Sequence, residues 1–411
     1  MGYTERQRLQ SLLEAHSLDG LLVTSPENYA YFTGDIGNPA SMWRRVGPTA
    51  AVISADGEMT IIVPDTREPT VRSANPDAHI LAHTLWIEQL DVDPAAGQSA
   101  AEIVARATAG RNIARPETYD ETIVSQLIRQ AVGEAGLLGK RLGVELEFAP
   151  VLDVETLHEQ LGDTEIVNSS PLIRELRLIK TPREIELLRL GNQLTELGIT
   201  ASLEHLSEQT IALDIVSHFN EAIYRAVRDQ RVLGFESART MVHVGPRLWG
   251  RGDPFRPAQR GDLIQFDSGV QILGYASDIG RTFSYGQPSD TQQSIEDALL
   301  AGFAAGREQL QPGRRFADVF NATQDAVRAA GFPSYTRGHF GHSIGSDFWG
   351  EEWPWISASE DRLIEPGMVI AFEVPYYVDG IGGFQNEDNF LITDTGWESM
   401  NTLPLELVVL D

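Results

Sequence analysis

The chain has 411 residues, a length that suits two or three domains with sizeable cores. Its 59 acidic residues against 32 lysines and arginines leave a net charge of −27, which argues against nucleic acid and anionic membranes as partners. It contains no cysteine, so disulfides, thiolate ligands and a cysteine nucleophile are excluded.

The N-terminal segment MGYTERQRLQ has no signal-peptide pattern, and no apolar run approaches the length of a membrane span; the expectation is a cytoplasmic protein. Residues 5–15 read as an amphipathic helix, 20–24 as an apolar strand, and 25–28 as a turn. Runs 49–53 and 59–63 bracket an Asp56-Gly57 turn and read as a hairpin. After a polar stretch come a helix over 123–135 and a strand over 141–145. Alternating strands and helices indicate an α/β layer. The boundary is expected within 169–182, dividing the chain into residues 1–168 and 169–411. Beyond it, apolar residues at helical spacing predict long helices at about 183–203 and 209–228. Two further helices are expected, one after the Ser289-Asp290 cap and one over 317–330, with strands between and after them.

Those strands carry five residues spaced like a metal site. Asp267 ends the apolar run of GDLIQFDSGV, and Asp278 sits in LGYASDIGRTF. His342 lies in the glycine-rich GHFGHSIG. Glu373 ends MVIAFE, and Glu387 sits in GGFQNEDNFLIT. A hairpin centred between Ile272 and Leu273 would set Asp267 and Asp278 opposite one another, roughly 5 Å apart at Cβ. A glutamate inside a run such as Met368–Phe372 is hard to bury unpaired. Four carboxylates converging with one imidazole cannot all stay ionised without a cation, so the pattern implies metal and Lewis-acid or hydrolytic chemistry. Carboxylates with one imidazole suit Mn²⁺, and also Zn²⁺ or Co²⁺.

The order of these motifs, Asp, a second Asp, His in GHSIG, Glu in EPGMVIAFEVP and Glu in NED, resembles that of the pita-bread metallopeptidases. This family includes methionine aminopeptidases, Xaa-Pro aminopeptidases and prolidases, with creatinase and a dimethylsulfoniopropionate lyase as non-peptidase relatives. LIRELRLIKTPREIELLR (172–189) resembles the segment that opens their catalytic domain, and DGLLVTSPENYAYFTGD (19–35) the start of a creatinase-type N-terminal domain. The resemblance implies an α/β (α+β) architecture: a creatinase-like N-terminal α/β domain, then a pita-bread catalytic domain with a curved antiparallel sheet and outer helices. It implies two divalent ions per chain, Mn²⁺ or Co²⁺ in preference to Zn²⁺, held by Asp267, Asp278, His342, Glu373 and Glu387. Glu373 takes the general-base position, and short peptides cleaved at Xaa-Pro bonds are the expected substrates. It also implies a homodimer, in which Trp43-Arg44-Arg45 would reach the neighbouring subunit's site.

Three departures stand out. The loop GPRLWGRGDPFRP (245–257) has no histidine, although His243 lies just before it. Trp349 stands where a second histidine usually follows the first, and Gln385 stands where an arginine usually precedes the last glutamate. Replacement groups for these roles are His339, a phenol from Tyr376 or Tyr377, and Arg247 and Arg251 as a carboxylate clamp. Trp249, Trp349, Trp353 and Trp355 are candidate walls for a proline ring or a small cation. Two other readings compete with the peptidase: an enzyme acting on a small non-peptide, and a non-catalytic binding module. The lyase relative carries a second Asp where this chain has Gly269.

Overall fold

The computed structural model describes residues 5–37, 45–92, 98–110, 114–248, 253–347 and 351–411. The chain divides into two compact units, one ending at Leu176 and the other beginning at Arg177. Among the described residues, no helix is long and apolar enough to cross a membrane.

The first unit is built on six strands: β1 (Gly20–Val23), β2 (Ala50–Ser54), β3 (Met59–Pro64), β4 (His79–His83), β5 (Arg141–Val144) and β6 (Glu165–Asn168). Their order is β4-β3-β2-β1-β5-β6. Strand β2 runs antiparallel to both neighbours, and the other pairs are parallel. Every residue of β1 is buried, as expected of a strand covered on both faces. The β2–β3 hairpin turns where Asp56-Gly57 predicted, with Gly57 at a φ of 80°. Helix Glu121–Glu134 starts at an Asp120 cap, whose carboxylate accepts from the backbone N–H groups of Thr122 and Ile123. Glu145 is buried, yet its charge is met by the N–H groups of Thr24 and Ser25, the Ser25 hydroxyl and the Asn28 amide. Such donors are what a buried carboxylate requires.

In the second unit, the strands are β7 (Phe235–Val244), β8 (Asp262–Ile272), β9 (Tyr275–Ala276), β10 (Ile279–Tyr285), β11 (His339–Ser343), β12 (Glu352–Ser357), β13 (Val369–Glu373), β14 (Tyr376–Val378), β15 (Gly382–Phe384), β16 (Glu387–Thr393), β17 (Gly396–Ser399) and β18 (Val408–Leu410). A ten-stranded, curved and mainly antiparallel sheet runs β12-β11-β13-β16-β10-β8-β7, with β17, β18 and β9 attached to its side. Four long helices pack on it in two pairs. Pro182–Leu203 and Ala212–Gln230 set Leu194, Ile199, Phe219 and Ile223 against Ile264, Phe266, Val270 and Ile279. Asp290–Gln309 and Phe316–Ala329 set Leu299, Phe303 and Phe320 into a core with Ile370, Phe372 and Phe390. Thr181 with Glu184, and Ser289 with Gln292, form capping boxes that fix two of the helix starts. Because strand residues alternate in direction, burying Ile264 and Phe266 toward the helices turns Gln265, Asp267 and Gly269 to the opposite face.

A buried ionic cluster anchors the end of β11. Glu352 accepts from Arg177, from Lys180 Nζ at 3.2 Å and from the Ser346 N–H at 2.8 Å. Lys180 also donates to the Ser343 hydroxyl at 3.0 Å, and Arg177 pairs with Asp347 at 2.8 Å. Burial raises the Glu352 pKa, but Arg177 and Lys180 outweigh it and bring the group to about 2. Removing one partner from such a cluster leaves uncompensated buried charge, at a cost of about 3–5 kcal/mol. Glu352→Gln should therefore lower the urea midpoint of unfolding by a matching amount. An unchanged midpoint would show that the cluster contributes nothing net.

Candidate metal centre

Register carries one row of residues across the inner face of the sheet. Asp267 on β8 lies opposite Gly280 on β10, Gly280 opposite Glu387 on β16, and Glu387 opposite Glu373 on β13. His342 on β11 lies opposite Ala371, two residues before Glu373 and so on the same face. Asp278 immediately precedes β10. The five side chains thus come from β8, β16, β13 and β11 and from the residue just before β10, which are neighbours in the sheet.

The expected facing of Asp267 and Asp278 is corrected by the structure. The hairpin turns at Leu273-Gly274, with φ of 50° and 86°, the positive values that a two-residue primed turn needs at both central positions. The pairs are Ile272 with Tyr275 and Gln271 with Ala276, continuing to Asp267 with Gly280. Asp278 is therefore diagonal to Asp267, offset by two residues. An offset of two keeps both on one face, so the carboxylates converge by a different route. Leucine is an unusual residue at positive φ; here the Leu273 N–H donates to Gly234 at 2.8 Å, which holds the turn.

Glycines make room for this convergence. A Cβ on Gly280 would lie 2.0 Å from Gln385 and 3.0 Å from Glu387, and one on Gly269 would lie 2.1 Å from the Ser277 carbonyl oxygen. Asn389 clamps the backbone of Asp278, donating to its carbonyl at 2.5 Å and accepting from its N–H at 3.3 Å.

The cluster is electrostatically stressed. Burial, then the neighbouring Asp278, push Asp267 up to about 7 against the opposing pull of Arg239. Burial also raises Asp278. Burial and the charges of Asp278, Glu373 and Asp267 raise Glu387 well above the usual carboxylate range. Two arginines and one amide offset part of this. Arg239 donates to Asp278 Oδ1 at 2.9 Å and to Asp267 Oδ1 at 3.3 Å. Arg337 donates to Glu373 Oε1 at 2.7 Å. The Gln385 amide donates to Glu373 Oε2 at 3.1 Å and Glu387 Oε2 at 3.2 Å.

Asp278, His342 and Glu387 offer ligand atoms that all lie within 4.8 Å of one another, and all three residues are buried. The His342 Nδ1 is within 3.0 Å of the Ser343 carbonyl oxygen, which directs Nε2 toward Asp278 Oδ2, 3.9 Å away. An imidazole nitrogen set among carboxylates whose burial and mutual repulsion penalise their charge is the donor set that a divalent cation satisfies. Asp267 and Glu373 share the face without belonging to that trio.

The remaining sequence candidates fall in different places. His339 lies beside Glu373, its Nδ1 3.6 Å from Oε1, and accepts from the Gly341 N–H at 3.3 Å; burial lowers its pKa. Tyr377 donates its phenol to Gln385 Oε1 at 2.7 Å, and burial raises its pKa. Tyr376 instead packs edge-on against Tyr335, with ring centroids 5.1 Å apart. Arg247 is exposed and paired with Asp379 at 3.1 Å. His243 stands on β7 opposite Gln265. Trp353 is bonded to Glu360 and covered by Arg362, while the exposed Trp355 lies opposite His342. Trp249, Arg251, Trp349, Trp43 and Arg44 lie outside the described residues. Arg45 is held within its own unit by Asp153 and Glu121. Arg239, Arg337 and Asn389 were missed. Each acts through residues at least 28 positions away, a relation with no local signal.

A model of "Metallopeptidase family M24" matches residues 186–394, and one of the "Creatinase/Prolidase N-terminal domain" matches residues 6–179. The chain is 22% identical to an Xaa-Pro dipeptidase of Pyrococcus furiosus over 402 residues, 98% of this chain and 99% of that one. It is 29% identical to a Bacillus subtilis protein provisionally described as a dipeptidase, YkvY, over 287 residues, 69% of this chain and 77% of that one. Among solved structures, an Xaa-Pro dipeptidase from Bacillus anthracis superposes with a TM-score of 0.78 at 23% identity, covering 98% of this chain and 99% of that one.

A ligand that binds only the folded state stabilises it, by about 2.7 kcal/mol at roughly a hundred times the dissociation constant. The chelator-treated protein should therefore gain thermal stability when Mn²⁺, Co²⁺ or Zn²⁺ is added. Asp278→Asn, which relieves repulsion, should fold at least as stably without metal and gain little from its addition. A metal-induced shift equal to that of the wild type would remove Asp278 from the ligand set.

Proposed function

Because the chain belongs to metallopeptidase family M24, we propose that it hydrolyses short peptides at Xaa-Pro bonds with two divalent ions held by Asp267, Asp278, His342, Glu373 and Glu387. The observation that supports this most is the shared row of Asp267, Glu387 and Glu373, with Asp278 and His342 on the same face. Divalent ions held there would supply Lewis acidity toward a scissile carbonyl and a bound water; Mn²⁺ is the proposed metal, with Co²⁺ or Zn²⁺ able to serve.

Glu373 accepts the proton from the attacking water and returns it to the leaving amine. Its two oxygens are held in place by Arg337 and Gln385, which restricts the carboxylate to one orientation. Tyr377, whose phenol donates to the same Gln385 in the resting site, would turn that hydrogen to the charge developing on the carbonyl oxygen. His339 lines the Glu373 side of the site.

Glu373→Gln should lower kcat far more than it alters KM, because proton transfer belongs to the transition state alone. Tyr377→Phe should cost about 10²–10³ in kcat if its phenol stabilises the oxyanion, whereas Tyr376→Phe, a packing residue, should leave kcat within a few-fold. These are to be measured on one Xaa-Pro dipeptide with metal content checked. Wild-type protein that spares every Xaa-Pro peptide but turns over creatine or dimethylsulfoniopropionate would replace the peptidase reading with the non-peptide one.

A symmetric homodimer, in which each N-terminal domain caps the partner's site, is part of the same proposal. Light scattering at micromolar concentration should report twice the chain mass; a fully active monomer would end that part of the proposal.

A further inference from the structure

Asp278 is the one member of the cluster that does not sit on a strand. It lies between β9, which ends at Ala276, and β10, which begins at Ile279, so the sheet ladder does not fix its peptide groups. A side chain takes the place of a neighbouring strand. Asn389 of β16 accepts from the Asp278 N–H at 3.3 Å and donates to its carbonyl at 2.5 Å. One carboxamide thus meets both polar groups of one residue, as a paired residue in an antiparallel ladder does. The seam that Asn389 crosses is thin: β10 and β16 share one paired position, Gly280 with Glu387, whereas β10 and β8 share seven and β13 and β16 share five.

Asn389 is held in turn by two more carboxamides. Its N–H donates to Oδ1 of Asn401 at 2.7 Å, and the Asn401 amide donates to Oδ1 of Asn192 at 2.9 Å. Asn192 is fully buried on helix Pro182–Leu203, and its own amide donates to the Leu188 carbonyl one turn back at 2.8 Å. At every joint an N–H meets a carbonyl oxygen, so each carboxamide has one orientation that satisfies its neighbours. The segment carrying Asn401 is fastened to the same helix by Glu196, one turn after Asn192, which accepts from the N–H groups of Thr402 at 2.6 Å and Leu403 at 2.8 Å. A line of hydrogen bonds free of charged groups therefore runs from the helix, through Asn192, Asn401 and Asn389, to the backbone of Asp278.

We propose that Asn401 and Asn192 are positioning residues for the metal centre, which act through Asn389 to set where Asp278 stands relative to Glu387. The inference rests on the reading that this cluster binds divalent metal, and it concerns only what holds one of its members in place.

The test replaces Asn401 with a residue of similar size that lacks the acceptor. In chelator-treated protein, Asn401→Leu should speed hydrogen exchange in the peptide containing Asp278, with the peptide containing Asp267 unchanged as an internal reference. The same variant should bind Mn²⁺ about ten- to a hundredfold more weakly by calorimetry, the usual cost of losing a group that orients a ligand. Asn401→Asp keeps the acceptor for the Asn389 N–H and should bind Mn²⁺ near the wild-type affinity, a rescue that a merely structural role would not show. Asn192→Ala, which leaves Asn401 on Asn389 but unanchored, should fall between the two. Circular dichroism establishes that each variant is folded; if Asn401→Leu is not, Asn192→Ala decides by the same two measurements. Unchanged exchange at Asp278, or unchanged Mn²⁺ affinity, in the folded variant would overturn the inference while leaving metal dependence standing. Wild type that binds no Mn²⁺ would overturn the metal reading itself, and this inference with it.

Discussion

Four carboxylates share one partly enclosed face of the sheet, and their mutual repulsion governs what surrounds them. Burial raises the cost of each charge and strengthens its effect on the others, which is why Asp267, Asp278 and Glu387 all hold their protons more tightly than usual. Such an arrangement persists only if the backbone is held by something stronger than local preference. The apolar backs of the same strands do this: Phe266, Phe372 and Phe390 alternate with Asp267, Glu373 and Glu387 and are locked into the helix-packed cores. The hydrophobic face thus carries the strain of the charged one, and the charged face is relieved from its flanks, by Arg239 at one side and Arg337 at the other.

Much of this was legible in the sequence because the acidic residues contradict their setting. A glutamate ending MVIAFE, or an aspartate directly after DLIQF, is conspicuous where the strand pattern demands burial. Helices announced themselves through periodicity and, at Ser289-Asp290, through a cap. Register did not, because the turn uses a leucine at positive φ in place of the expected glycine or asparagine; the shift of two residues survived only because it preserves facing. The choice between Tyr376 and Tyr377 was closed to sequence as well. Adjacent strand residues point opposite ways, and which one meets the site depends on where β14 enters.

The exchange of an arginine for Gln385 is less disruptive in three dimensions than it looked in one. Gln385 is neutral, yet its amide donates to both glutamates at once, and its carbonyl is held by Tyr377. Positive charge is not lost from this side of the cluster. It arrives from Arg337, on the segment before β11, which reaches the opposite oxygen of Glu373. The orienting and the charge-balancing roles of a single arginine are here divided between an amide and a guanidinium from different segments, so Glu373 is gripped at both oxygens.

The same logic joins two features that looked independent. Gly269, where the lyase relative carries an aspartate, and Arg239 face each other across β7 and β8. A Cβ at 269 would lie 2.1 Å from the Ser277 carbonyl oxygen and 3.6 Å from Arg239 Nε, so a side chain there would crowd both the hairpin backbone and the path of the guanidinium. An aspartate at 269 would add a fifth carboxylate beside Asp278 and call for more cation. A glycine there lets the protein's own cation through. Residue 269 and residue 239 are thus one structural decision, and it sets the sign of the charge beside Asp278 before any metal ion arrives.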